Sequence, residues 1–184
     1  MTFEELLECW RTEVSNKKKP GRRTSLFFNV FRRARRDNKL RYLFWFRFAQ
    51  YCHGKGGLCA GYARRLNERL NLRYAVDIGL EASIGPGLRI AHLPGVVISG
   101  HARIGRNLFI RQNCTIGIKR LGLDHYRLEL GDNVSIGANS CVISDDICIG
   151  SNVTVGAMSL VNKSIPDNCI FYNERTAVVI ERDH

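Results

Sequence analysis

Residues 130–168 read LGDNVSIGANSCVISDDICIGSNVTVGAMSLVNKSIPDN, and the period of this stretch decides the fold. An aliphatic residue returns every six positions, at Leu130, Ile136 and Val142 and, after a one-residue slip, at Ile149, Val155 and Val161. An α-helix needs a 3.6-residue period and tolerates this much glycine poorly. Six residues suit one short strand plus a corner, repeated so that successive coils pair as parallel strands with the aliphatic side chain inward. Asn133, Asn139 and Asn152 stand three positions after it. A corner there calls for positive φ, which asparagine tolerates best among residues with a Cβ. The next residue (Val134, Ser140, Val153, Ser159) is of a size to fill a tight inward slot.

The pattern extends upstream through 78, 84, 90 and 96, then 98, 104, 110 and 116, with Asn107 and Asn113 at corners and Ala82, Ala102 and Cys114 at small slots. The chain therefore reads as mainly β. A parallel β-helix of hexapeptide repeats occupies 74–184, with a projecting loop at 117–129 and a C-terminal tail. Before it, residues 1–73 read as a basic α-helical region. Thr2 and Glu5 form a capping box that predicts a helix over 3–15. NKKKPGRR, at 16–23, reads as a basic loop. Helical patterns then cover Ser25 to Gln50 and, after a break at His53 to Gly57, Leu58 to Leu72.

Of the net charge of +11, the excess lies in the first 73 residues, where 18 Lys/Arg face 6 Asp/Glu. Seven cysteines, an odd count with no C-x-x-C pair, argue against a disulfide framework or a zinc site, and a cytoplasmic, reducing location is expected. Cys114, Cys141 and Cys148 are expected to act as small buried hydrophobes. MTFEELLECW lacks the basic-then-apolar order of a signal peptide, and the apolar run Tyr42 to Tyr51 is too short to span a bilayer.

These repeats resemble the hexapeptide-repeat acyltransferases, whose members fold such segments as a left-handed triangular β-helix. Ala75 to Pro166 is similar to the serine acetyltransferases, and still more to exopolysaccharide O-acetyltransferases of the colanic-acid type. Serine acetyltransferases carry an Asp fifteen positions before a general-base histidine, and VDIGLEASIGPGLRIAH has Asp77 and His92 at that spacing. Their second histidine, on a projecting loop, is matched by His125 in IKRLGLDHYRLELG. The resemblance implies acetyl-CoA as co-substrate; no metal is expected, from the cysteine and histidine spacing. His92 would be the base, Asp77 would orient its ring, and His125 would position the acceptor or serve the oxyanion. It also implies that the pantetheine arm runs past Gly117, Ala138 and Ala157, with Lys119, Arg120 and Lys163 toward the phosphates. A homotrimer with sites between subunits is expected.

Two departures bear on the acceptor. Serine acetyltransferases have Asp just before the catalytic histidine, where Ala91 stands here, and Arg before the loop histidine, where Asp124 stands. An aspartate there repels a carboxylate. The expected acceptor is accordingly a sugar hydroxyl of a surface polysaccharide (capsule or exopolysaccharide) or of its lipid-linked precursor, with serine O-acetyltransferase as the alternative. A third reading is a non-catalytic basic protein that binds membranes or nucleic acid through Phe27, Phe28, Phe31, Trp45, Phe46 and Phe48 interleaved with Arg. Against it, these aromatics are expected to form a helical core with the Arg residues solvated. Peripheral contact with anionic lipid through residues 17–73 is expected, and nucleic acid is not. A zinc site of the γ-carbonic-anhydrase kind would need His92, His101 and His125, whose spacing repeats on no shared face.

Overall fold

The computed structural model describes residues 1–15 and 23–174; almost all of the expected basic loop and most of the tail lie outside the described residues. Among the described residues, fourteen short strands wind into a parallel β-helix of three faces. Face A stacks β1 (Val76–Ile78), β4 (Val96–Ile98), β7 (Thr115–Gly117), β10 (Cys141–Ile143) and β13 (Leu160–Val161). Face B stacks β2 (Ser83–Ile84), β5 (Ala102–Ile104), β8 (Arg127–Leu130) and β11 (Asp146–Ile149). Face C stacks β3 (Arg89–Ile90), β6 (Phe109–Ile110), β9 (Ser135–Ile136), β12 (Thr154–Val155) and β14 (Ile170–Phe171).

The inward column follows the six-residue period. On face B, Ile84, Ile104, Leu130 and Ile149 lie in register, and on face C, Ile90, Ile110, Ile136 and Val155 do. All are buried. So are the small slots Ala82, Ala102, Cys114, Val134, Ser140, Val153 and Ser159. Asn107, Asn113, Asn133, Asn139 and Asn152 all adopt positive φ, between 53° and 61°. In the first coil the same corners are Gly87 (φ 96°) and Gly95 (φ 73°), which lie against the Oδ1 atoms of Asn107 and Asn113; a Cβ there would collide with them.

Cys141 and Cys148 correct an expectation. Each is an outward residue beside inward Val142 or Ile149 and is only half-buried, whereas Cys114 is fully enclosed. Burial pushes the Cys114 thiol up, against hydrogen bonds from the neighbouring backbone.

The helical region begins with α1 (Phe3–Cys9), closed by the Thr2–Glu5 capping box, and continues as a π-helical turn over Trp10–Ser15. Ser25 to Gln50 is two helices and not one, because Asp37 is extended and caps the second: α2 (Arg23–Arg36) and α3 (Asn38–His53). The helix α4 (Gly57–Tyr74) then leads into β1. The expected aromatic core is only partly formed. Trp10, Tyr42 and Phe46 are buried, but Phe28 is 71% and Phe31 55% exposed, and Phe27 and Trp45 also face outward. The expectation of solvated arginines fails at Arg47, which is wholly buried.

Arg47 shows how the helices close the first coil, whose upper edge has no strand above it among the described residues. Its Nε and Nη2 donate to Glu13 at 3.0 and 2.6 Å, and Nη1 donates to Gln50 Oε1 at 2.8 Å. The remaining two N–H groups reach the carbonyls of Ile84 and Gly85 at 2.9 and 3.0 Å. Glu13 Oε1 accepts from the backbone N–H groups of Gly87 and Leu88, both at 3.1 Å. Gln50 donates to Ala82 O, and Asn67 donates to Ile78 O. Helix side chains thus supply the partners that another coil would otherwise give to edge backbone groups. Burial disfavours charge on Arg47, but the adjoining Glu13 carboxylate outweighs it and keeps the guanidinium ionised. No helix among the described residues is long and apolar enough to cross a membrane.

Candidate active site

The column of corners between faces C and A is where the period breaks. Ile90 pairs with Ile110, and Ala91 N–H donates to Ile110 O at 3.0 Å, so Ala91 stacks beside Arg111. Asn113 N–H donates to Pro94 O at 3.1 Å, as Asn139 does to Gln112 O one coil on, so Pro94 stands over Gln112. Two residues, His92 and Leu93, are left over. Leu93 turns inward and is buried, and His92 is exposed. The repeat count had set this slip between Val96 and Ile98; the backbone register sets it at the histidine.

Asp77 lies on face A just past the same corner, outward between buried Val76 and Ile78. Its Oδ1 accepts from Asn71 Nδ2 of α4 at 3.1 Å, and among the described residues no hydrogen bond or ion pair joins it to His92. Tyr42, fully buried on α3, has its phenol held well above the usual range by burial first and then by the Asp77 charge. Ala138 and Ala157 lie at the C–A corners of later coils, in line with Pro94 and Gln112.

His125 lies elsewhere. The loop between β7 and β8 is tied to the corner between faces A and B. Asp145 accepts from the backbone N–H groups of Lys119 and Arg120 at 2.8 and 2.9 Å, and from Arg120 Nε at 2.8 Å. The hydrogen bond from Arg120 holds the Asp145 carboxyl below its ordinary range and occupies a guanidinium expected to face phosphate. The Tyr126 ring packs on His101 at 4.4 Å, and its hydroxyl donates to Arg120 O and accepts from Leu123 N–H. His125 is the exposed neighbour of this anchor. Gly117 and Lys119 share the A–B corner, and Lys163 follows β13 on the same side. Face A therefore separates two groups, with Asp77, His92, Ala138 and Ala157 at one edge and Gly117, Lys119, His125 and Lys163 at the other.

Residues that pattern reading passed over sit beside His92. The Arg111 guanidinium lies 4.7 Å from the centre of the Phe109 ring, and that of Arg89 lies 5.1 Å from it. Gln112 Oε1 is enclosed and has no hydrogen-bond partner among the described residues. The signal available in the sequence was the broken period between Val96 and Ile98, which marks the coil of His92 as one whose neighbours need inspection.

No family model matches the sequence. The serine acetyltransferase of Staphylococcus xylosus is 39% identical over 106 residues, which are 56% of this chain and 48% of that protein. The mitochondrial serine acetyltransferase 3 of Arabidopsis thaliana is 36% identical over 103 residues, 55% of this chain and 26% of that protein. The matched region thus spans less than half the length of either relative. Among solved structures, serine acetyltransferase isoform 3 of Entamoeba histolytica, in complex with cysteine, superposes with a TM-score of 0.73 at 26% identity, covering 98% of this chain and 61% of its own. The Neisseria gonorrhoeae enzyme in complex with serine gives 0.68 at 25% identity, covering 91% and 64%. These matches overturn the expectation of a capsule or exopolysaccharide sugar as acceptor, because relatives and structural neighbours alike are serine acetyltransferases. That expectation weighed Ala91 without Arg111, which the adjoining coil stacks beside it. Over its repeats in sequence, and over nearly its whole length in fold, the chain is similar to the serine acetyltransferases and has the left-handed β-helix of the hexapeptide-repeat acyltransferases.

Proposed function

We propose that this chain is a serine O-acetyltransferase that moves the acetyl group of acetyl-CoA to the hydroxyl of L-serine. The observation that carries the reading is an exposed histidine on a two-residue bulge, with Asp77 just past the same corner, inside repeats that resemble serine acetyltransferases. His92 takes the hydroxyl proton as the serine oxygen attacks the thioester carbonyl. Imidazole suits this task because its ordinary pKa lies near neutrality. Collapse of the tetrahedral intermediate breaks the C–S bond, and the imidazolium returns the proton to the departing thiolate, giving O-acetylserine and free CoA. Asp77 steadies the ring and its positive charge, as carboxylates do in other His–carboxylate pairs. The thioester is already activated, so direct transfer needs no acyl-enzyme.

The two groups at opposite edges of face A favour a homotrimer. The C–A corner of one copy then meets the A–B corner of the next, bringing His125, Gly117, Lys119 and Lys163 of one chain to His92, Ala138 and Ala157 of another. Small residues at Gly117, Ala138 and Ala157 leave room for the pantetheine arm.

Thiol release from acetyl-CoA in the presence of L-serine tests the reading. Wild type is expected to release CoA only with serine, and His92→Ala is expected to lose about 10²- to 10⁴-fold of that rate. Release that is independent of serine, or a His92→Ala variant as fast as wild type, would sink it.

A further inference from the structure

If serine is the acceptor, its carboxylate needs a cation, and the loop position where the resemblance implies Arg is Asp124 here. The neighbouring coil offers a replacement. Arg111 stacks beside Ala91, the residue just before His92, and its guanidinium is held against the Phe109 ring. Arg89, in register with Phe109, brings a second guanidinium to the same ring. Neither side chain makes a hydrogen bond or ion pair among the described residues, unlike Arg47, Arg106, Arg120 and Arg127, each of which has a carboxylate. Two positive groups held together on an aromatic surface without a counter-ion raise the local potential and favour an anion. Arg111 is half-buried, so solvent screens it less than an open surface arginine.

We propose that Arg111 is the specificity residue that binds the acceptor's carboxylate, and that this chain has exchanged the charges of its acceptor site. The cation sits in the coil below the catalytic bulge, and the anion, Asp124, sits on the projecting loop of the adjacent copy in the proposed trimer, where it meets the acceptor's ammonium group. The exchange accounts for Ala91 and Asp124 together. An aspartate kept before His92 would lie against Arg111 and neutralise it, and an arginine kept on the loop would repel the ammonium. Planar guanidinium matches carboxylate with two parallel hydrogen bonds, which a lysine cannot reproduce. The inference rests on the serine reading and adds to it the residue that recognises the amino acid.

The test compares L-serine with L-serinamide, whose carboxylate is replaced by a neutral amide, in wild type, Arg111→Met and Arg111→Lys, with thermal melts to confirm folding. Wild type is expected to prefer serine. In Arg111→Met that preference should fall about 10- to 100-fold through the KM for serine, the loss expected for a charge-assisted hydrogen bond. Arg111→Lys should fall between the two, and the KM for acetyl-CoA should stay put. An equal loss on serine and serinamide, or an unchanged preference, overturns the assignment while leaving the serine reading intact. A rise in the KM for acetyl-CoA alone means that Arg111 meets a phosphate of the donor, and also overturns it. A folded wild type that ignores serine removes the acceptor reading and this inference with it.

Discussion

Two columns of corners run the length of the β-helix, and they differ in regularity. At the B–C column every described coil puts glycine or asparagine at positive φ three residues after the inward aliphatic: Gly87, Asn107, Asn133, Asn152 and Asn168. The four asparagines bond side chain to side chain in an unbroken ladder, at 2.9, 3.0 and 2.9 Å. The C–A column has one such rung, Asn113 to Asn139 at 3.0 Å. Above it the chain bulges at His92 and Leu93, and below it Met158 occupies the positive-φ position. The regular column is an amide-paired seam, and the irregular one carries the exposed histidine. Among the described coils of these two columns, extra residues enter only at His92 and Leu93, and that break in the period points to this corner as the site.

The first way to break the comparison is at the head of the regular column, where Gly87 and Leu88 depend on Glu13, and Glu13 on Arg47. Arg47→Ala strands a buried carboxylate and leaves the Ile84 and Gly85 carbonyls without partners. A loss of about 3–5 kcal/mol in chemical denaturation is expected. The paired replacement Arg47→Met with Glu13→Leu separates two causes. If the ion pair mattered only to itself, the double variant would recover wild-type stability. It is expected to remain well short, because the backbone groups of the first coil still lack partners.

The second compares the columns directly. Asn133 both accepts from Asn107 and donates to Asn152, whereas Asn139 only accepts from Asn113. Asn133→Ala combines the loss of asparagine's tolerance of positive φ with the loss of two rungs, about 2 kcal/mol together. Asn139→Ala should cost less. Equal losses in urea melts would show that the ladder adds nothing beyond the dihedral preference.

The same contrast explains what the amino-acid sequence discloses. Period six, asparagine at the third position and a small residue at the fourth are local rules, and each inward aliphatic, corner and slot can be read from them. The helical region obeys no such rule. Asp37 splits an apparently continuous helix because an extended N-cap satisfies two of the next helix's free N–H groups, a choice that propensity alone does not reveal. Arg47 reads as a surface residue until the exposed edge of the first coil requires donors. Within the candidate site, the spacing of Asp77 and His92 was legible and the place of Arg111 beside Ala91 was not, because it is a pairing between coils twenty residues apart.

The smallest effect lies at the foot of the irregular column. Met158 holds φ near 59°, a region that costs a residue with an ordinary side chain more than it costs asparagine, and its N–H donates to Ala138 O at 2.8 Å as its counterparts in the upper coils do. Met158→Asn keeps that backbone bond and sets an amide beneath Asn139, lengthening the C–A ladder by one rung. A gain of about 0.5–1 kcal/mol is expected in thermal unfolding. A neutral or destabilising result would mean that the methionine side chain contributes more at this corner than the dihedral strain takes away. The shortness of the C–A ladder would then reflect packing at the last described coil of the β-helix. A gain would show instead that the column was left short where regularity brings stability alone.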